Sequence, residues 1–327
     1  MTAAWVAGSV RARSMTRRRL GRDAVRRLAG EPSLDAALGV LVRTPYGHDV
    51  RLGMSLAEAQ RAVHGALVWN VRVLGGWVPR DGAALLRVLL APFEIANVAD
   101  HLRRLRGEDA PAPYRLGSLS TAWPRLAAAG DTARLRAALA ASTWGDPGGT
   151  EPDEIVWAMR LSLADRAVAV SPTAAPWASG AVALLLARGL LLDRPDLTPG
   201  ARLSAARVVG PAAAAATTLA ELRPRLSRSA SWALTGVSGG EDLWHAEARW
   251  WARVEQDAVA LTRSPRPGAE VVLGAVALLG VDAWRTRAAL EVAARADASP
   301  GDLDTVVDDR SPDEWAADGT GTAHAVA

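Results

Sequence analysis

The chain has 327 residues, half of them hydrophobic, and its 38 basic residues, all Arg, exceed its 35 acidic residues by a formal charge of +3. This length and apolar fraction predict a folded protein with a large buried core. The lack of Cys excludes disulfides, thiolate zinc ligands and thiol catalysis, and the lack of Lys excludes the common Lys-containing phosphate loop.

The chain begins with a predicted helix over residues 2–20 and a second over residues 22–28. At the amino terminus the apolar residues precede the charged ones, which is the reverse of the order in a secretory signal. A chain without Cys is typical of the cytoplasm. Residues 1–30 contain eight Arg against the single acid Asp23. Such a cluster could contact acidic partner proteins or anionic lipid headgroups, although a solvated helix face explains the pattern equally well. The candidate contacts are Arg11, Arg13, Arg17, Arg18 and Arg19.

Helix signals continue along the first third of the chain. Ser33 has the position of a helix cap, and residues 44–47, Thr-Pro-Tyr-Gly, end that helix. Ser55 and Glu58 have the spacing of a capping box, which predicts a helix to about Leu74.

Residues 89–107 are the most informative stretch. Apolar residues recur there at helical spacing, while Glu94 and Asn97 share another face, from which they can hold a neighbouring backbone segment or an Arg. We interpret them as a polar seam inside a helical bundle rather than as a direct functional contact. The motif comprises Phe93, the only Phe of the chain, with Glu94, Asn97 and Arg103.

Weaker copies of this layout follow. Residues 117–145 repeat the order of residues 21–47: a Gly, two short helices, then a hydroxyl residue, an aromatic residue and Gly. Pro152 is tolerated at the start of the next helix. An apolar helix over residues 177–192 completes the second copy of the layout.

The third copy of this layout is the least similar to the first. Residues 219–238 stand in the place of the short helices, a Trp-rich helix follows over residues 241–261, and residues 271–295 occupy the place of the 89–107 stretch.

Strand patterns are nearly absent, so the sequence predicts an all-α protein of three homologous bundles. The predicted division is 1–112, 113–210, a divergent 211–307 and an acidic disordered tail, 308–327.

No group of residues predicts catalysis. The segment 236–240, Gly-Val-Ser-Gly-Gly, matches a hydrolase nucleophile elbow in letters, but no strand precedes it and no His follows at a suitable distance. Ser238 is better explained as a helix cap with Glu241 three residues on. We therefore expect no enzymatic activity and no small-molecule substrate.

Cofactors, metals and nucleic acid are not expected either. The five His are dispersed. Apart from the adjacent Trp250 and Trp251, the 13 Trp occur singly at helical spacing, which indicates core positions for most of them rather than a stacking surface for nucleic acid. Four acids near the carboxyl end could bind a cation only weakly, and a solvated acidic segment is the simpler interpretation. They are Asp302, Asp304, Asp308 and Asp309. The longest apolar runs, 181–187 and 271–281, are shorter than the roughly 18 to 20 residues of a spanning helix, so no membrane crossing is expected.

Three segments resemble the C-type subunits of the bacterial and archaeal V/A-type ATPases, a family related to the d-type subunits of eukaryotic V-ATPases. In the third segment, Glu94, Asn97 and Arg103 match the family's recurrent acid, Asn and basic positions. The similar segments are residues 6–15 (VAGSVRARSM), residues 32–47 (PSLDAALGVLVRTPYG) and residues 93–103 (FEIANVADHLR).

The resemblance implies a funnel-shaped, non-catalytic central-stalk subunit. It would sit peripherally on the cytoplasmic face of the cell membrane, as a socket between the D/F-type stalk subunits and the membrane proteolipid ring, and couple rotation to proton or sodium transport and ATP synthesis. The sequence departs from the family in the last repeat, where Asp282 is followed by Arg285 and Arg287. The alternatives are a divergent helical scaffold of the same fold that binds a partner without rotary coupling, and an esterase-like enzyme that uses Ser238.

Overall fold

The computed structural model describes residues 3–192 and 197–295, and every regular element in those ranges is helical. Short 3-10 turns connect several of the α-helices. The α-helices in chain order are α1 (Val6–Thr16), α2 (Arg22–Ala29), α3 (Leu34–Leu41), α4 (Leu56–Gly75), α5 (Gly82–Leu105), α6 (Trp123–Leu126), α7 (Thr132–Ala140), α8 (Pro152–Val170), α9 (Ala175–Leu191), α10 (Pro199–Val209), α11 (Pro211–Ala214), α12 (Leu219–Arg225), α13 (Arg228–Ser231), α14 (Leu243–Thr262) and α15 (Ala269–Ala293). The predicted all-α class is confirmed for these residues.

Local signals placed several helix starts correctly. The Ser33 hydroxyl accepts a hydrogen bond from the backbone N–H of Ala36 and caps α3. Ser55 and Glu58 form the predicted capping box at the start of α4, and Pro152 occupies the first position of α8. These starts were predictable because each depends on residues within three positions of the cap.

The first helix is shorter than predicted. α1 ends at Thr16, and the chain has turned before Gly21, which adopts a left-handed φ of 79°. The backbone N–H groups of Leu20 and Gly21 donate to Asp282, 262 and 261 positions away along the chain. A distant carboxylate therefore satisfies N–H groups that a longer helix would have used internally, and no local pattern could reveal it.

The prediction that most Trp lie in the core is wrong for the described residues. Only Trp144 and Trp177 are buried there, while Trp69, Trp77 and Trp244 are exposed and the others are partly buried. Trp is large and carries a polar N–H, so it often lies at the edge of a core.

The described chain divides into two compact units. Unit 1 contains residues 3–83 and 251–295. Its central element is α15, which packs against α1, α2 and α4 and is buried along most of its length. A side chain at Gly274 would place its Cβ 2.7 Å from the carbonyl oxygen of Ala258, so Gly allows α14 and α15 to approach closely.

Unit 2 contains residues 84–192 and 197–250 and has two apolar clusters. One joins α5, α6 and α7 to the first half of α8 around Leu126, Leu135 and Ile155. The other surrounds α9 and includes residues from α8 and α10 to α14, among them Val182 and Leu222. The two units differ from the predicted boundaries at 112 and 210, and the threefold division stays a prediction. The predicted tail, 308–327, lies outside the described residues, as do the four candidate cation ligands Asp302, Asp304, Asp308 and Asp309.

In the part of the chain that the structure describes, two helical segments reach the length and hydropathy of a membrane span: Gly82–Leu105 and Pro172–Leu191. Buried core helices also meet these criteria, and 61% and 50% of the respective apolar windows are buried within the protein. The sequence prediction overlooked both, because Arg87, Glu94 and Arg188 interrupt or border their apolar runs.

Candidate functional site

The carboxylate of Glu94 on α5 holds a distant loop of unit 2. Glu94 is 1% exposed, and its two oxygens accept hydrogen bonds from the backbone N–H groups of Thr121 at 2.5 Å and Ala122 at 2.6 Å. The indole N–H of Trp144 donates a third hydrogen bond, at 3.2 Å. Both oxygens are thus engaged, and the carboxylate fastens α5 to the loop before α6 and to the segment that follows α7.

Asn97 holds a second loop, one helical turn further along α5. Its amide nitrogen donates to the carbonyl oxygen of Tyr114 at 2.9 Å, and its amide oxygen accepts from the N–H of Tyr114 at 2.6 Å. The Phe93 ring meets the Tyr114 ring edge-on, with centroids 5.1 Å apart. Phe93 and Asn97 therefore fix the same residue through its ring and its backbone.

Arg166 on α8 provides a positive charge near the carboxylate of Glu94. Its guanidinium carbon lies 4.5 Å from the centroid of the Trp144 ring, and its Nη2 donates to the Thr121 hydroxyl at 3.2 Å. Burial lowers the pKa of Arg166, and the nearby negative charge of Glu94 opposes that shift. Sequence reasoning missed Arg166, because nothing near it in the chain marks it as a partner of Glu94.

Arg103 has a different position from the other motif residues. Its side chain is 46% exposed, and it pairs with Glu108 at 3.3 Å and with Asp100 at 4.0 Å near the end of α5. Exposed pairs of this kind contribute little to stability. The structure therefore brings Phe93, Glu94 and Asn97 to loops that follow α5, whereas Arg103 makes local ion pairs.

Asp282 on α15 makes a matching set of contacts in unit 1. Its carboxylate accepts hydrogen bonds from the backbone N–H groups of Leu20 at 3.0 Å and Gly21 at 2.8 Å, and from the Tyr46 hydroxyl at 2.8 Å. The side chain is 4% exposed. Burial, together with the negative charge of Asp282, raises the pKa of Tyr46 well above its ordinary value.

We call these two sets the Glu94 clamp (Glu94, Thr121, Ala122, Trp144) and the Asp282 clamp (Asp282, Leu20, Gly21, Tyr46). In each, a carboxylate on a long helix accepts two hydrogen bonds from consecutive backbone N–H groups and one from an aromatic side chain. The aromatic residue in each case precedes a Gly. The two clamps share this chemistry although one lies in each unit.

The segments that the clamps hold match in detail. The Thr44 hydroxyl donates to Leu41 and accepts from Tyr46, and the Ser142 hydroxyl donates to Leu139 and accepts from Trp144. Asp131 caps α7 as Ser33 caps α3. Equivalent positions are 98 residues apart in the sequence. The pairs are Ser33 and Asp131, Leu41 and Leu139, Thr44 and Ser142, and Tyr46 and Trp144.

The residue three positions after the clamp carboxylate differs between the two clamps. Arg285 follows Asp282 by three positions, as Asn97 follows Glu94, but it forms two hydrogen bonds of 2.8 Å with Glu255 on α14. Arg22 pairs with the same carboxylate. Burial by itself raises the pKa of Glu255, but the hydrogen bonds from Arg285 and Arg22 outweigh it and lower that pKa to about 2.

The amino-terminal Arg residues have three different roles. Arg13 is bound to backbone: its Nε donates to the Thr262 carbonyl at 3.0 Å and its Nη2 to the Ser264 carbonyl. Arg17 is exposed. Arg11, Arg18 and Arg19 line a cavity of about 230 Å³ in unit 1. Of the five predicted contacts, three therefore converge on one concave surface.

The segment around Ser238 has helix-capping contacts. Residues 232–234 before it form a 3-10 turn, and both the N–H and the hydroxyl of Ser238 donate to the Asp242 carboxylate at 2.7 Å. These hydrogen bonds hold the pKa of Asp242 below its ordinary value. The predicted capping partner, Glu241, is thus replaced by its neighbour Asp242. Within the described ranges, no group of three or more His, Asp or Glu could hold a metal ion.

No model of a known protein family matches this chain, and no curated protein matches its sequence. Family membership therefore remains a proposal that depends on the residues themselves.

Proposed function

We propose that this protein is a non-catalytic central-stalk subunit of a V/A-type rotary ATPase. It acts as a socket that couples the central rotor shaft to the membrane proteolipid ring, and so links ATP turnover to proton or sodium transport. The observation that carries the proposal is the pair of matched clamps, because residues of both clamps lie in segments 32–47 and 93–103, which resemble the C-type stalk family.

A threefold internal repeat accounts for this match. The short-helix pairs of the first two repeats, α2 with α3 and α6 with α7, are each held through backbone N–H groups and an aromatic residue. The carboxylate that holds each pair lies on the long helix of the preceding repeat in cyclic order: Asp282 on α15 and Glu94 on α5. The third pair, α12 and α13, packs against α9, which has no acidic residue. There Gly180 faces the Trp232 ring, and a Cβ at Gly180 would lie 2.7 Å from it. Ring-against-backbone packing takes the place of the carboxylate in this eroded repeat, and three such bundles form the proposed funnel.

The clamps suit a part that transmits torque. A socket has to resist twisting without losing its shape, and close-packed interiors have low compressibility. Charge-assisted hydrogen bonds to backbone N–H groups add directional links between helices and loops. Glu94 and Asp282 each accept three hydrogen bonds in buried positions.

Copurification from native membranes tests the assignment. The tagged full chain, expressed in its own organism and gently crosslinked, should recover both the D/F-type stalk subunits and the proteolipid ring. The tagged Glu94→Ala variant, in which one clamp is removed, should recover less of both. Absence of stalk and ring subunits from the wild-type sample would refute the proposal.

The alternative is a helical scaffold of the same fold that binds another partner without rotary coupling. The observation that favours it is the replacement of Asn by Arg285, whose buried pair with Glu255 is absent from the Glu94 clamp. Recovery of one helical partner in place of stalk and ring subunits would support this scaffold. Genes for the catalytic and ring subunits beside this one would argue against it.

A further inference from the structure

A basic cavity lies in unit 1 between the end of α1, the turn at residues 45–48 and α4. Its volume is about 230 Å³. The side chains that line it include three Arg from the amino-terminal segment, Arg11, Arg18 and Arg19, and three aromatic rings, those of Tyr46, His48 and Trp69.

The three guanidinium groups have no partner in the described part of the chain. Within residues 3–192 and 197–295, no ion pair or side-chain hydrogen bond engages any of them, and Nε of Arg11 is buried without a hydrogen-bond acceptor. In contrast, Arg13 on the same helix donates to two backbone carbonyl groups. A buried N–H without an acceptor is costly, so this lining is suited to an anion that supplies acceptors.

Among the described residues, one carboxylate lines the cavity, that of Asp282, and it does not cancel this charge. Asp282 is 4% exposed and accepts three hydrogen bonds from Leu20, Gly21 and Tyr46. The ring of His48 is paired with the carboxylate of Asp49, at 3.1 Å. Three Arg therefore line the space against one carboxylate that is already hydrogen-bonded.

The size of the cavity limits the ligand. Its volume is below the roughly 300 to 1,000 Å³ of sites that enclose a drug-sized molecule. Guanidinium groups match phosphate oxygens by paired N–H donors. The rings of His48 and Trp69 stack with centroids 4.8 Å apart and offer a flat surface for the atoms next to the phosphate.

We propose that this cavity binds the phosphate group of a small anion or of an anionic phospholipid headgroup, held by Arg11, Arg18 and Arg19. This site is independent of the proposed stalk function, since it needs no partner protein. The cavity adjoins the Asp282 clamp, because the clamp residues Tyr46 and Asp282 form part of the cavity lining.

Binding of inorganic pyrophosphate, followed by calorimetry at low salt, tests the soluble source of phosphate. Cosedimentation with phosphatidylcholine vesicles, with and without phosphatidic acid, tests the lipid source. The full chain is compared with Arg11→Gln, Arg18→Gln and Arg19→Gln. The matched control is Arg17→Gln, which removes the same charge from the same helix end at an exposed position outside the cavity.

We expect each cavity variant to weaken binding by about tenfold or more, the effect of one charge-assisted hydrogen bond, and Arg17→Gln to leave it nearly unchanged. Loss in the pyrophosphate arm alone identifies a soluble anion, and loss in the vesicle arm alone identifies a lipid. An equal loss in Arg17→Gln, or no binding in either arm, overturns the proposal. Arg18 is exposed, so its variant reports on binding even if Arg11→Gln does not fold.

Discussion

The hydroxyl of Tyr46 donates a 2.8 Å hydrogen bond to the carboxylate of Asp282, across 236 positions of the chain. The same carboxylate fixes the turn between α1 and α2 through two backbone N–H groups. One buried side chain on α15 thereby determines the positions of two segments of the first 50 residues.

Ionisation of Tyr46 tests this relationship directly. The chain has two Tyr, so Tyr114→Phe leaves Tyr46 as the only phenol. An ordinary Tyr ionises at about pH 10. Because burial and Asp282 raise the pKa of Tyr46, ultraviolet absorbance of this variant should show no phenolate at that pH while the protein stays folded. Above about pH 10 the unfolded chain loses the proton more readily, so stability should fall as pH rises. A titration midpoint near 10 in folded protein would contradict the buried hydrogen bond.

Substitution Glu94→Gln should reduce the free energy of unfolding by about 2–4 kcal/mol. The change removes the charge that the N–H groups of Thr121 and Ala122 face, and it turns an amide NH₂ toward one of the donors. Urea unfolding followed by circular dichroism measures the effect. Glu108→Gln, on an exposed carboxylate, serves as the control and should leave the unfolding midpoint in place. Equal effects in the two variants would show that the Glu94 clamp contributes nothing specific.

The pair Arg285 and Glu255 should behave as a buried ion pair. Arg285→Met leaves Glu255 with Arg22 alone and should cost about 3–5 kcal/mol in the free energy of unfolding. Adding Glu255→Leu should recover part of that loss, because it removes the buried carboxylate that Arg22 alone compensates incompletely. Arg295→Met removes an exposed pair with Glu291, near the end of the same helix, and should cost about 0–1 kcal/mol. Strict additivity of the two buried substitutions in a double-mutant cycle would argue against the pair.

His64 makes stability depend on pH. Burial, with the positive charges of Arg287 and Arg61, lowers the pKa of His64 to about 3. In the unfolded chain its pKa is about 6.5, so between those values the unfolded state binds more protons, and stability rises with pH. The pKa of Glu255 is lowered from 4.5 to about 2, so its contribution to the free energy of unfolding is also lost on acidification, but only as pH falls below about 4.5.

The two groups can therefore be separated by pH. Between about pH 5 and pH 7 the free energy of unfolding should rise with pH in the wild-type chain and rise less in His64→Gln. The slope is measured by urea unfolding at a series of pH values. An identical slope in both proteins would mean that His64 titrates normally.

The sequence predicted the helices better than their contacts. Caps at Ser33 and Ser55 and the start of α8 depend on neighbours a few residues away, and the structure has them as predicted. The end of α1 was predicted too late, because Asp282, far along the chain, accepts hydrogen bonds from two of the N–H groups assigned to that helix or its end.

In each contact of the Glu94 clamp and of Asn97, the side chain on α5 was predictable from the sequence, but its backbone partner was not. Helical spacing placed Glu94 and Asn97 on one face and suggested that they hold backbone, which matches their hydrogen bonds to Thr121, Ala122 and Tyr114. Their backbone partners lie 17 to 28 positions away in loops without periodicity. The one signal for the clamps was the recurring order of hydroxyl, aromatic residue and Gly at Tyr46 and Trp144.

ATP-driven uptake of protons or sodium ions by inverted membrane vesicles tests the proposed coupling function most directly. Vesicles are prepared from the organism with the gene deleted, and from the same strain complemented with the full chain. We expect deletion to abolish ATP-driven ion uptake while the ATP-hydrolysing head stays active in solution, and complementation to restore uptake. Undiminished, ATP-dependent ion uptake in the deletion strain would contradict the proposed coupling function.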